Sequence, residues 1–467
     1  MSQAQIAVEV AVVGGGLSGL MAARRLLQAG KSAVVLEASE HPGGRIGNGQ
    51  VGGAVCELGG EWVSAFQTHI NALLREFGLE TFETFSTGQG TFVHDGKAVP
   101  YDTPFLPLPL TDLAEIAAAV VQFDLMAADV PPAAPWTAAE AASWDSQTMA
   151  GWLDSNILCE GARATLEIMV GGALCAAPRD LSLLHYLFLV ASTGGAERLF
   201  TMKGGVLESR VVGGSGLVID KLTAELGDRV CCNAAVRNID QTGPQVVLTN
   251  DRGVVVADHV IVAMPPTMAG RITYDPPLPA MRDHLTQRTP MGWGIKVFAS
   301  YPTPFWRDAG RNGFINNVDP GSVISGAFDN SPPDGSRGVL YGLIEGSGAL
   351  AWGPRPVAER KAAVLEAFAA CFGPQALEAT DYLEQDWAGM PWIRGGATAA
   401  FGPGVWTGYG PALRAPVDRI HWAGTETAIE QWGSMDGAIS AAERAVQEIL
   451  QEEGATLGRD PSPAGSG

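Results

Sequence analysis

The sequence predicts an α/β fold with a second part of the α+β class, and three stretches of the chain support this prediction. Residues 8–38 contain an apolar strand, a glycine-rich turn, a helix and a second strand. Residues 254–266 form an apolar run that ends in two prolines, as expected of a buried strand. Residues 418–427 indicate a strand and a turn, and apolar residues then recur at helical spacing. The elements of the main fold therefore come from separated parts of the chain.

The composition is typical of a folded protein that binds neither nucleic acid nor membranes. The 467 residues are 46% hydrophobic and 17% charged, and 30 basic against 50 acidic residues give a formal net charge of −20. Such a charge repels nucleic acid and anionic lipid, and it weakly favours the approach of cationic small molecules. The length suggests about three domain-sized units.

No targeting segment, membrane span or metal site is expected. The first residues lack a basic region and lead directly into the first strand, unlike a signal peptide. The longest apolar run, residues 181–192, is shorter than the roughly 20 residues that a membrane span needs. The six cysteines form no CxxC pair, and the histidines show no metal-ligand spacing. These observations favour a cytoplasmic protein with reduced thiols.

The turn at residues 14–19 has the spacing of a dinucleotide-binding site in a Rossmann-like fold. Gly14 permits the tight turn, Gly16 lets the backbone approach a pyrophosphate, and Gly19 lets the helix pack on the strand. Glu37 ends the second strand about twenty residues later, where a carboxylate can accept a hydrogen bond from a ribose hydroxyl. An acid there disfavours a 2′-phosphate, so NADP is not expected. The turn by itself does not distinguish NAD from FAD.

The residues after the second strand favour FAD. HPGGR at 41–45 and LGGEWVS at 58–64 resemble the flavin-containing amine oxidases, the monoamine and polyamine oxidase family. The resemblance implies that Arg45 contacts the pyrophosphate side of FAD and that Gly59 to Trp62 lie beside the isoalloxazine ring. Residues 46–48 depart from the family, which usually has a threonine or serine soon after GGR.

The resemblance covers nearly the whole chain and implies a Rossmann-like FAD-binding domain assembled from three chain segments. A substrate-binding domain of mixed sheet and helices would occupy the intervening chain. The expected boundaries are residues 1–80, 203–283 and 391–455 for the first domain, and 81–202 and 284–390 for the second. In the middle segment the backbone at Val236 would meet the adenine. The final helix is expected to stop at Gly454, and residues 456–467 are expected to be a disordered tail.

A single charge interrupts the apolar strand at residues 291–301. Period-two alternation places Lys296 with Phe298 on the face opposite Ile295. An ordinary strand lysine extends its stem past apolar neighbours to water. The stretch through Phe305-Trp306 nevertheless resembles the family segment in which a lysine is bridged through a water to flavin N5. The resemblance therefore implies that Lys296 is catalytic and assists the reaction of reduced flavin with O₂.

Two departures from the family concern the flavin and the substrate. Covalent members attach the flavin through a cysteine, and Ala397 at the matching position cannot form a thioether, so FAD is expected to bind non-covalently. Thr398 and Ser434 match two tyrosines that flank the substrate amine in many members, so this aromatic sandwich would be missing. Trp432 is a candidate to fill part of the gap, although packing in a core wall explains it equally well; Trp392 is a weaker candidate.

The resemblance assigns further residues to the flavin site. Trp387 would close the site near the flavin, with structural packing as an equal alternative. Met435 would present its backbone N–H to the ring, and the helix that follows would favour negative charge on the reduced flavin. The expected cofactor-binding residues are Gly14, Gly16, Ser18, Gly19, Glu37, Ala38, Gly44, Arg45, Gly60, Glu61, Trp62, Val236, Trp387, Gly424, Thr425, Glu426 and Met435.

Two carboxylates are candidates to pair with a second ammonium group in a diamine substrate. Glu208 and Glu345 are these candidates, but a solvated surface carboxylate is the preferred interpretation of each.

The resemblance implies FAD-dependent oxidation of a primary or secondary amine to the imine, with O₂ reduced to H₂O₂. The imine would then give an aldehyde or ketone and ammonia or an amine. The alternatives are a flavin desaturase, a protoporphyrinogen-oxidase-like enzyme, an amino-acid oxidase and a non-catalytic FAD-binding protein. GIKV at 294–297 and the segments WAGTET and MDGA favour an amine oxidase, and no arginine is singled out for a substrate carboxylate. Because family members are often dimers, a homodimer is the assembly that the resemblance suggests.

Overall fold

The computed structural model describes residues 5–102 and 105–457. Its β-strands in chain order are β1 (Gln5–Val13), β2 (Ala33–Leu36), β3 (Asn48–Val51), β4 (Ala54–Glu57), β5 (Trp62–Val63), β6 (Thr81–Glu83), β7 (Gln89–His94), β8 (Lys97–Tyr101), β9 (Ser209–Val211), β10 (Val230–Cys231), β11 (Val236–Asp240), β12 (Val246–Asn250), β13 (Gly253–Ala263), β14 (Thr273–Asp275), β15 (Gly294–Tyr301), β16 (Arg311–Asn317), β17 (Gly326–Asp329), β18 (Gly338–Glu345), β19 (Asp381–Asp386) and β20 (Ile420–Ala423). Its α-helices are α1 (Leu17–Gln28), α2 (Thr68–Glu76), α3 (Leu110–Ala127), α4 (Ala141–Asp145), α5 (Met149–Asn156), α6 (Glu160–Leu174), α7 (Leu183–Thr193), α8 (Gly216–Leu226), α9 (Pro266–Ala269), α10 (Ala280–Gln287), α11 (Phe305–Asp308), α12 (Ser347–Trp352), α13 (Val357–Phe372), α14 (Val405–Tyr409) and α15 (Met435–Leu457).

The first sheet has eight strands and carries the glycine-rich turn at one edge. The strand order is β10-β2-β1-β13-β12-β11-β14, and β20 also pairs with β13. The pairs β10–β2, β2–β1, β1–β13 and β13–β20 are all parallel. The carboxyl ends of these strands therefore meet at one edge of the sheet, which is where ligands bind in open α/β sheets.

The second half of the central strand β1, Val10–Val13, is buried on both faces, which explains why these four residues are all apolar. Val10 and Val12 pack into a cluster with residues of α1, α8 and α15. Ala11 and Val13 face a second cluster formed mainly by β12 and β13. The α/β arrangement predicted from the sequence is confirmed.

The second sheet has seven strands in the order β19-β15-β18-β17-β16-β7-β8. The strand β15 lies between β18 and β19 and is antiparallel to both. Ile295 packs against a cluster that includes Phe368 of α13. Phe298 instead packs with Val51 and Cys56 on the opposite face. The predicted alternation along this strand is confirmed, so Lys296 lies on the face of Phe298.

The strands of the two sheets come from different parts of the chain. Every strand of the first sheet lies within residues 1–80, 203–283 or 391–455. Every strand of the second lies within residues 81–202 or 284–390.

The final helix is longer than the sequence predicts. Helix α15 continues through Gly454 to Leu457, so the expected stop at Gly454 is wrong, as is the start of the disordered tail at residue 456. A glycine in a helix interior costs only about 1 kcal/mol, which is too little to end a helix anchored by a buried face. Ile439 and Ile449 on that face are fully buried. Residues 458–467 of the expected tail lie outside the described residues.

The longest apolar run of the sequence forms a core helix. Residues 183–190 of α7 are all buried. A membrane-spanning helix is not found within the part of the chain that the structure describes.

Candidate active site

A cavity of about 1090 Å³ lies between the two sheets. Its walls are the carboxyl ends of strands in the first sheet and one face of β15 and β18 in the second. The cavity brings together most of the site residues that the sequence predicts: Gly14, Gly16, Ser18, Glu37, Ala38, Gly44, Arg45, Gly60, Glu61, Trp62, Val236, Lys296, Trp387, Thr398, Gly424, Thr425, Trp432, Ser434 and Met435. Gly19 and Glu426 do not line it. Such a volume exceeds what one small metabolite fills.

The glycine-rich turn forms one end of the cavity. Gly14 has φ +104°, a backbone conformation that favours glycine. A Cβ on Gly19 would lie 1.9 Å from the carbonyl oxygen of Gly14, so the helix packs on the turn only because this side chain is absent. No side chain caps the N-terminus of α1 at Gly16. The first N–H groups of this helix are therefore available to an anionic group, and the turn fits a pyrophosphate.

Glu37 lies in the cavity wall at the end of β2, as the sequence predicts. Its Oε2 accepts a hydrogen bond of 2.7 Å from the backbone N–H of Gly15, and its Oε1 accepts one of 2.7 Å from the N–H of Ser39. Its Oε1 also accepts a hydrogen bond of 2.5 Å from the hydroxyl of Ser39. Oε2 therefore keeps a second acceptor position, which can receive a ribose hydroxyl. The contact with Gly15 fixes the carboxylate relative to the turn.

Glu426 acts through Arg45 rather than facing the cavity itself. The carboxylate is fully buried and pairs with the guanidinium at 2.5 Å and 2.9 Å. Arg45 also donates to the carbonyl oxygen of Ala397 at 2.8 Å. This bidentate pair joins the first segment of the chain to the last and fixes Arg45 in the wall.

Trp387 closes one side of the cavity against the glycine pair that follows Leu58. Its indole N–H donates to the carbonyl oxygen of Leu58 at 2.8 Å. A Cβ on Gly59 would lie 2.8 Å from the indole ring, so the ring packs directly on the backbone. The Nε1 atom of Trp62 is buried and has no hydrogen-bond partner in the described structure.

Helix α15 begins at the cavity, where Ser434 precedes Met435. The hydroxyl of Ser434 accepts a hydrogen bond of 3.1 Å from the N–H of Gly437 and donates to the carbonyl oxygen of Gln431 at 2.6 Å. Ser434 therefore serves as an N-cap.

The ammonium group of Lys296 is buried and has a charged partner. It donates to Glu61 Oε2 at 2.8 Å, to the carbonyl oxygen of Gly59 at 2.8 Å and to that of Glu57 at 3.1 Å. It also lies 4.4 Å from the ring centroid of Tyr341. An ammonium has three N–H donors, so all three are engaged.

A second cation, Arg210, lies next to the carboxylates of Glu57 and Glu61 near Lys296. Arg210 Nη2 donates to Glu57 Oε2 at 2.7 Å, and its Nε lies 3.1 Å from Glu61 Oε1. Asn330 donates to the same oxygen of Glu61 at 2.5 Å. Burial raises the pKa of Glu57, and the nearby guanidinium of Arg210 opposes this shift. The two cations and two carboxylates balance one another, which permits their burial.

Thr398 and Trp432 differ in how they meet the cavity. Thr398 is buried, and its hydroxyl has no hydrogen-bond partner within residues 5–102 and 105–457. The indole N–H of Trp432 donates to the carbonyl oxygen of Glu426 at 2.9 Å, and its ring packs edge-on against His185. Trp432 therefore belongs to the core wall as well as to the cavity lining. Trp392 is 38% exposed and stacks on Arg237 near the surface.

Four residues that line the cavity, on β18 and at the end of α6, were not predicted from the sequence. Tyr341 and Leu343 line the cavity beside Lys296, and Leu174 and Cys175 line it from the end of α6. Period-two alternation in β18 places Tyr341 and Leu343 on one face. The face that meets the cavity follows only from the pairing with β15.

The interpretation of Glu345 as a solvated surface carboxylate is wrong. Its side chain lines the cavity and is buried, because β18 is an interior strand and not an edge. Glu208 is partly buried, accepts hydrogen bonds from the N–H groups of Ala65 and Gly204, and does not line the cavity.

Among the described residues the fold brings together two groups of three possible metal ligands, and the sequence spacing does not suggest the first of them; the second is His94, Asp95 and Asp319. Ligand atoms of His259, His421 and Glu452 lie within 4.8 Å of one another, but none of these residues lines the cavity. Hydrogen bonding explains part of this group, since His421 Nδ1 lies 3.1 Å from Glu448 Oε2.

Known proteins of similar sequence and structure include flavin-containing amine oxidases. A family model described as flavin containing amine oxidoreductase matches residues 17–450. A Mycobacterium tuberculosis protein named as a flavin-containing monoamine oxidase, AofH, is 38% identical over 95% of this chain and 96% of its own length. Human amine oxidase [flavin-containing] B is 36% identical over 96% of this chain and 86% of its own length. The solved structure of wild-type putrescine oxidase bound to putrescine has a TM-score of 0.92 and 33% identity, and covers 96% of this chain and 100% of its own.

Proposed function

The chain belongs to the flavin-containing amine oxidoreductase family, and on this premise we propose that it binds FAD non-covalently and oxidises a primary or secondary amine to the imine. O₂ is the electron acceptor in this proposal, and H₂O₂ is the second product. Hydrolysis of the imine then gives an aldehyde or ketone with ammonia or an amine. The observation that supports it best is that the glycine-rich turn and Lys296 line the same cavity.

We propose that the chain forms two domains, one that binds the cofactor and one that binds the substrate. Residues 1–80, 203–283 and 391–455 form the FAD-binding domain, and residues 81–202 and 284–390 form the substrate-binding domain. The distribution of strands between the two sheets supports this division.

The nucleotide part of FAD would be held by the first domain. The turn from Gly14 to Gly16 and the free N–H groups of α1 would receive the pyrophosphate, with Arg45 nearby. Glu37 would accept from the ribose, and the backbone at Val236 would meet the adenine. The glycines are the feature that suits this role, because side chains in the turn would fill the space that the phosphates need.

The bound flavin would accept a hydride from the carbon next to the amine. The residues of the chain would then orient the substrate and exclude water from the reacting atoms. The N-terminus of α15, which begins at Met435, would favour negative charge on the ring. Trp387 would keep the ring in place from the side of Gly59.

Lys296 would act in the oxygen half of the reaction. A cation in a water-poor wall stabilises negative charge that develops on O₂ far better than it would in water. Because all three of its N–H donors are engaged, a water that bridges it to the flavin would replace one of these bonds. The carbonyl oxygen of Glu57, at 3.1 Å, is its longest hydrogen-bond contact.

Non-covalent attachment follows from Ala397, which offers no sulfur. Cys175 is the cysteine in the cavity wall, and burial raises the pKa of its thiol, so it is not a nucleophilic thiolate. Acid precipitation of the purified protein should release the yellow flavin into the supernatant. Flavin that stays on the pellet contradicts this part of the proposal.

The decisive experiment is anaerobic reduction of the flavin by a panel of mono-, di-, poly- and aromatic amines. Bleaching of the yellow colour by an amine, followed by peroxide formation when air is admitted, is the expected result. A flavin that no amine bleaches would indicate a non-catalytic FAD-binding protein. Bleaching by amino acids alone would favour an amino-acid oxidase.

The protein is further proposed to work in the cytoplasm. The cysteines Cys56, Cys159, Cys175, Cys231, Cys232 and Cys371 are all free, which fits a reducing compartment.

A further inference from the structure

We propose that Glu345 selects the substrate by pairing with a second ammonium group, so that the enzyme prefers diamines to monoamines of the same chain length. This inference rests on the amine oxidation proposed above and concerns the far end of the same cavity. The supporting observations are the place of Glu345 in the cavity wall, its uncharged partners and the apolar residues of the wall near it.

Glu345 lies on the same face of the second sheet as the lysine. In the antiparallel pair β15–β18, Lys296 is opposite Leu343 and Gly294 is opposite Glu345. Residues two apart on a strand share a face and lie about 7 Å apart. Glu345 is therefore one such step from the position of Lys296, and both side chains line the cavity. A substrate that is oxidised near Lys296 can extend along this face towards the carboxylate.

The partners of Glu345 are uncharged, unlike those of the other carboxylates near the lysine. Its Oε1 accepts a hydrogen bond of 2.6 Å from the hydroxyl of Ser325, and its Oε2 lies 3.5 Å from the thiol sulfur of Cys175. No basic side chain of the described residues forms an ion pair with it. Glu57 and Glu61, in contrast, both pair with Arg210.

A buried carboxylate without a cation is costly, which is why this difference matters. Burial raises the pKa of Glu345, with the donors Ser325 and Cys175 opposing the shift. A substrate ammonium would supply the missing positive charge and favour the ionised carboxylate. The free-energy cost of burying the ionised carboxylate would then be offset by the ammonium when a diamine is bound, whereas this ammonium is absent from the free enzyme.

Two glycines let the backbone approach the carboxylate and its thiol partner closely. A Cβ on Gly172 would lie 3.1 Å from Glu345 Oε1, and a Cβ on Gly294, directly across the strand pair from Glu345, would lie 3.0 Å from the sulfur of Cys175. Both glycines line the cavity. Leu174 and Leu343, also in the cavity wall, are suited to the methylene chain between two amines.

The experiment compares matched diamines and monoamines of three to six carbons on the flavin-loaded enzyme. Steady-state kcat/KM is measured for wild type, for Glu345→Gln and for the control Glu208→Gln, which removes a carboxylate outside the cavity. Wild type should prefer the best diamine over its monoamine by at least about tenfold, equivalent to about 1.4 kcal/mol. Glu345→Gln should abolish this preference through a higher KM for the diamine while monoamine oxidation is retained. Glu208→Gln should retain the preference for the diamine.

A binding measurement separates recognition from catalysis. Under anaerobic conditions a saturating diamine should raise the Tm of wild type more than that of Glu345→Gln. Equal loss of activity towards diamines and monoamines in Glu345→Gln, or a wild type without diamine preference, overturns the role of Glu345 and leaves amine oxidation standing. A wild type that oxidises no amine of either series overturns both.

Discussion

Lys296 and Glu61 form a buried ion pair of 2.8 Å in the wall of the cavity. The sequence shows Lys296 as the single charge of an apolar strand, and the strand itself provides no partner for it. Glu61 comes from the segment that precedes β5, far away in the chain. The pair explains how the ammonium is tolerated in the wall and how it is held at a fixed position beside Tyr341.

Replacing Glu61 with Gln should destabilise the protein. The substitution leaves Lys296 and Arg210 with one carboxylate between them, and breaking a buried pair costs about 3–5 kcal/mol. Urea unfolding at neutral pH measures the loss. The control Glu83→Gln changes an exposed carboxylate and should shift stability by no more than about 0.5 kcal/mol. Equal stability of the two variants would show that the buried pair contributes little.

Replacing Lys296 with Met should slow flavin reoxidation by O₂ more than anaerobic reduction by the amine. Loss of one preorganised charge at the reacting oxygen corresponds to about 100-fold or more in rate. Stopped-flow absorbance at the flavin band follows the two half-reactions separately. The control Lys97→Met removes an exposed lysine. Unchanged reoxidation in Lys296→Met removes the role in oxygen chemistry, whereas an equal loss in both half-reactions points to a positioning role.

His185 should make the protein less stable in mild acid. Burial lowers the pKa of this imidazole to about 3, and its Nδ1 accepts a hydrogen bond from Trp406. The unfolded chain binds a proton below pH of about 6.5, and the folded protein does not until the pH approaches the lowered pKa. The contribution of His185 to the free energy of unfolding is therefore fully present above the pKa of the unfolded chain. Below that pKa, the free energy of unfolding falls by up to about 1.4 kcal/mol for each pH unit.

The contribution of His185 is isolated by comparing unfolding free energies of wild type and His185→Phe between pH 7.5 and pH 5. Phe keeps the stacking on Phe401 and cannot take up a proton. The acid-dependent loss should be smaller in this variant, and His284→Gln, at an exposed position, should behave as wild type. Parallel pH profiles for wild type and His185→Phe would contradict the prediction.

Replacing Gly19 with Ala should weaken flavin binding. The added methyl group would meet the carbonyl oxygen of Gly14 at 1.9 Å, so the turn or the helix must move. Flavin content per protein, read from the absorbance spectrum, should fall several-fold or more. Gly408→Ala in α14 is a matched control, since a Cβ there meets nothing within 4 Å. A yellow Gly19→Ala protein with native stability would show that the turn adapts.

The sequence alone was sufficient to predict those features that are formed by residues close together in the chain. The turn after β1, the helix that follows it and the acid that ends β2 are all recognisable from spacing. The face of Lys296 also follows from alternation alone. Such patterns are set by backbone geometry, which a short stretch of sequence already determines.

Contacts between residues that are far apart in the sequence could not be predicted from the sequence. Glu345 looks like a surface residue at the end of a strand until β18 is known to pair with β15. The ion pair of Arg210 was not recognisable in the sequence, because its partner Glu57 is more than 150 residues away. Contacts of this kind depend on which strands become neighbours, and one sequence does not show that.

The ion pair between Arg45 and Glu426 also bears on biosynthesis. Glu426 emerges from the ribosome long after Arg45, and β20, which pairs with β13, is synthesised only just before Glu426. The surroundings of the glycine-rich turn are therefore incomplete until residue 426 has been synthesised. Flavin uptake should follow synthesis of this segment, and a product truncated before residue 418 should stay colourless.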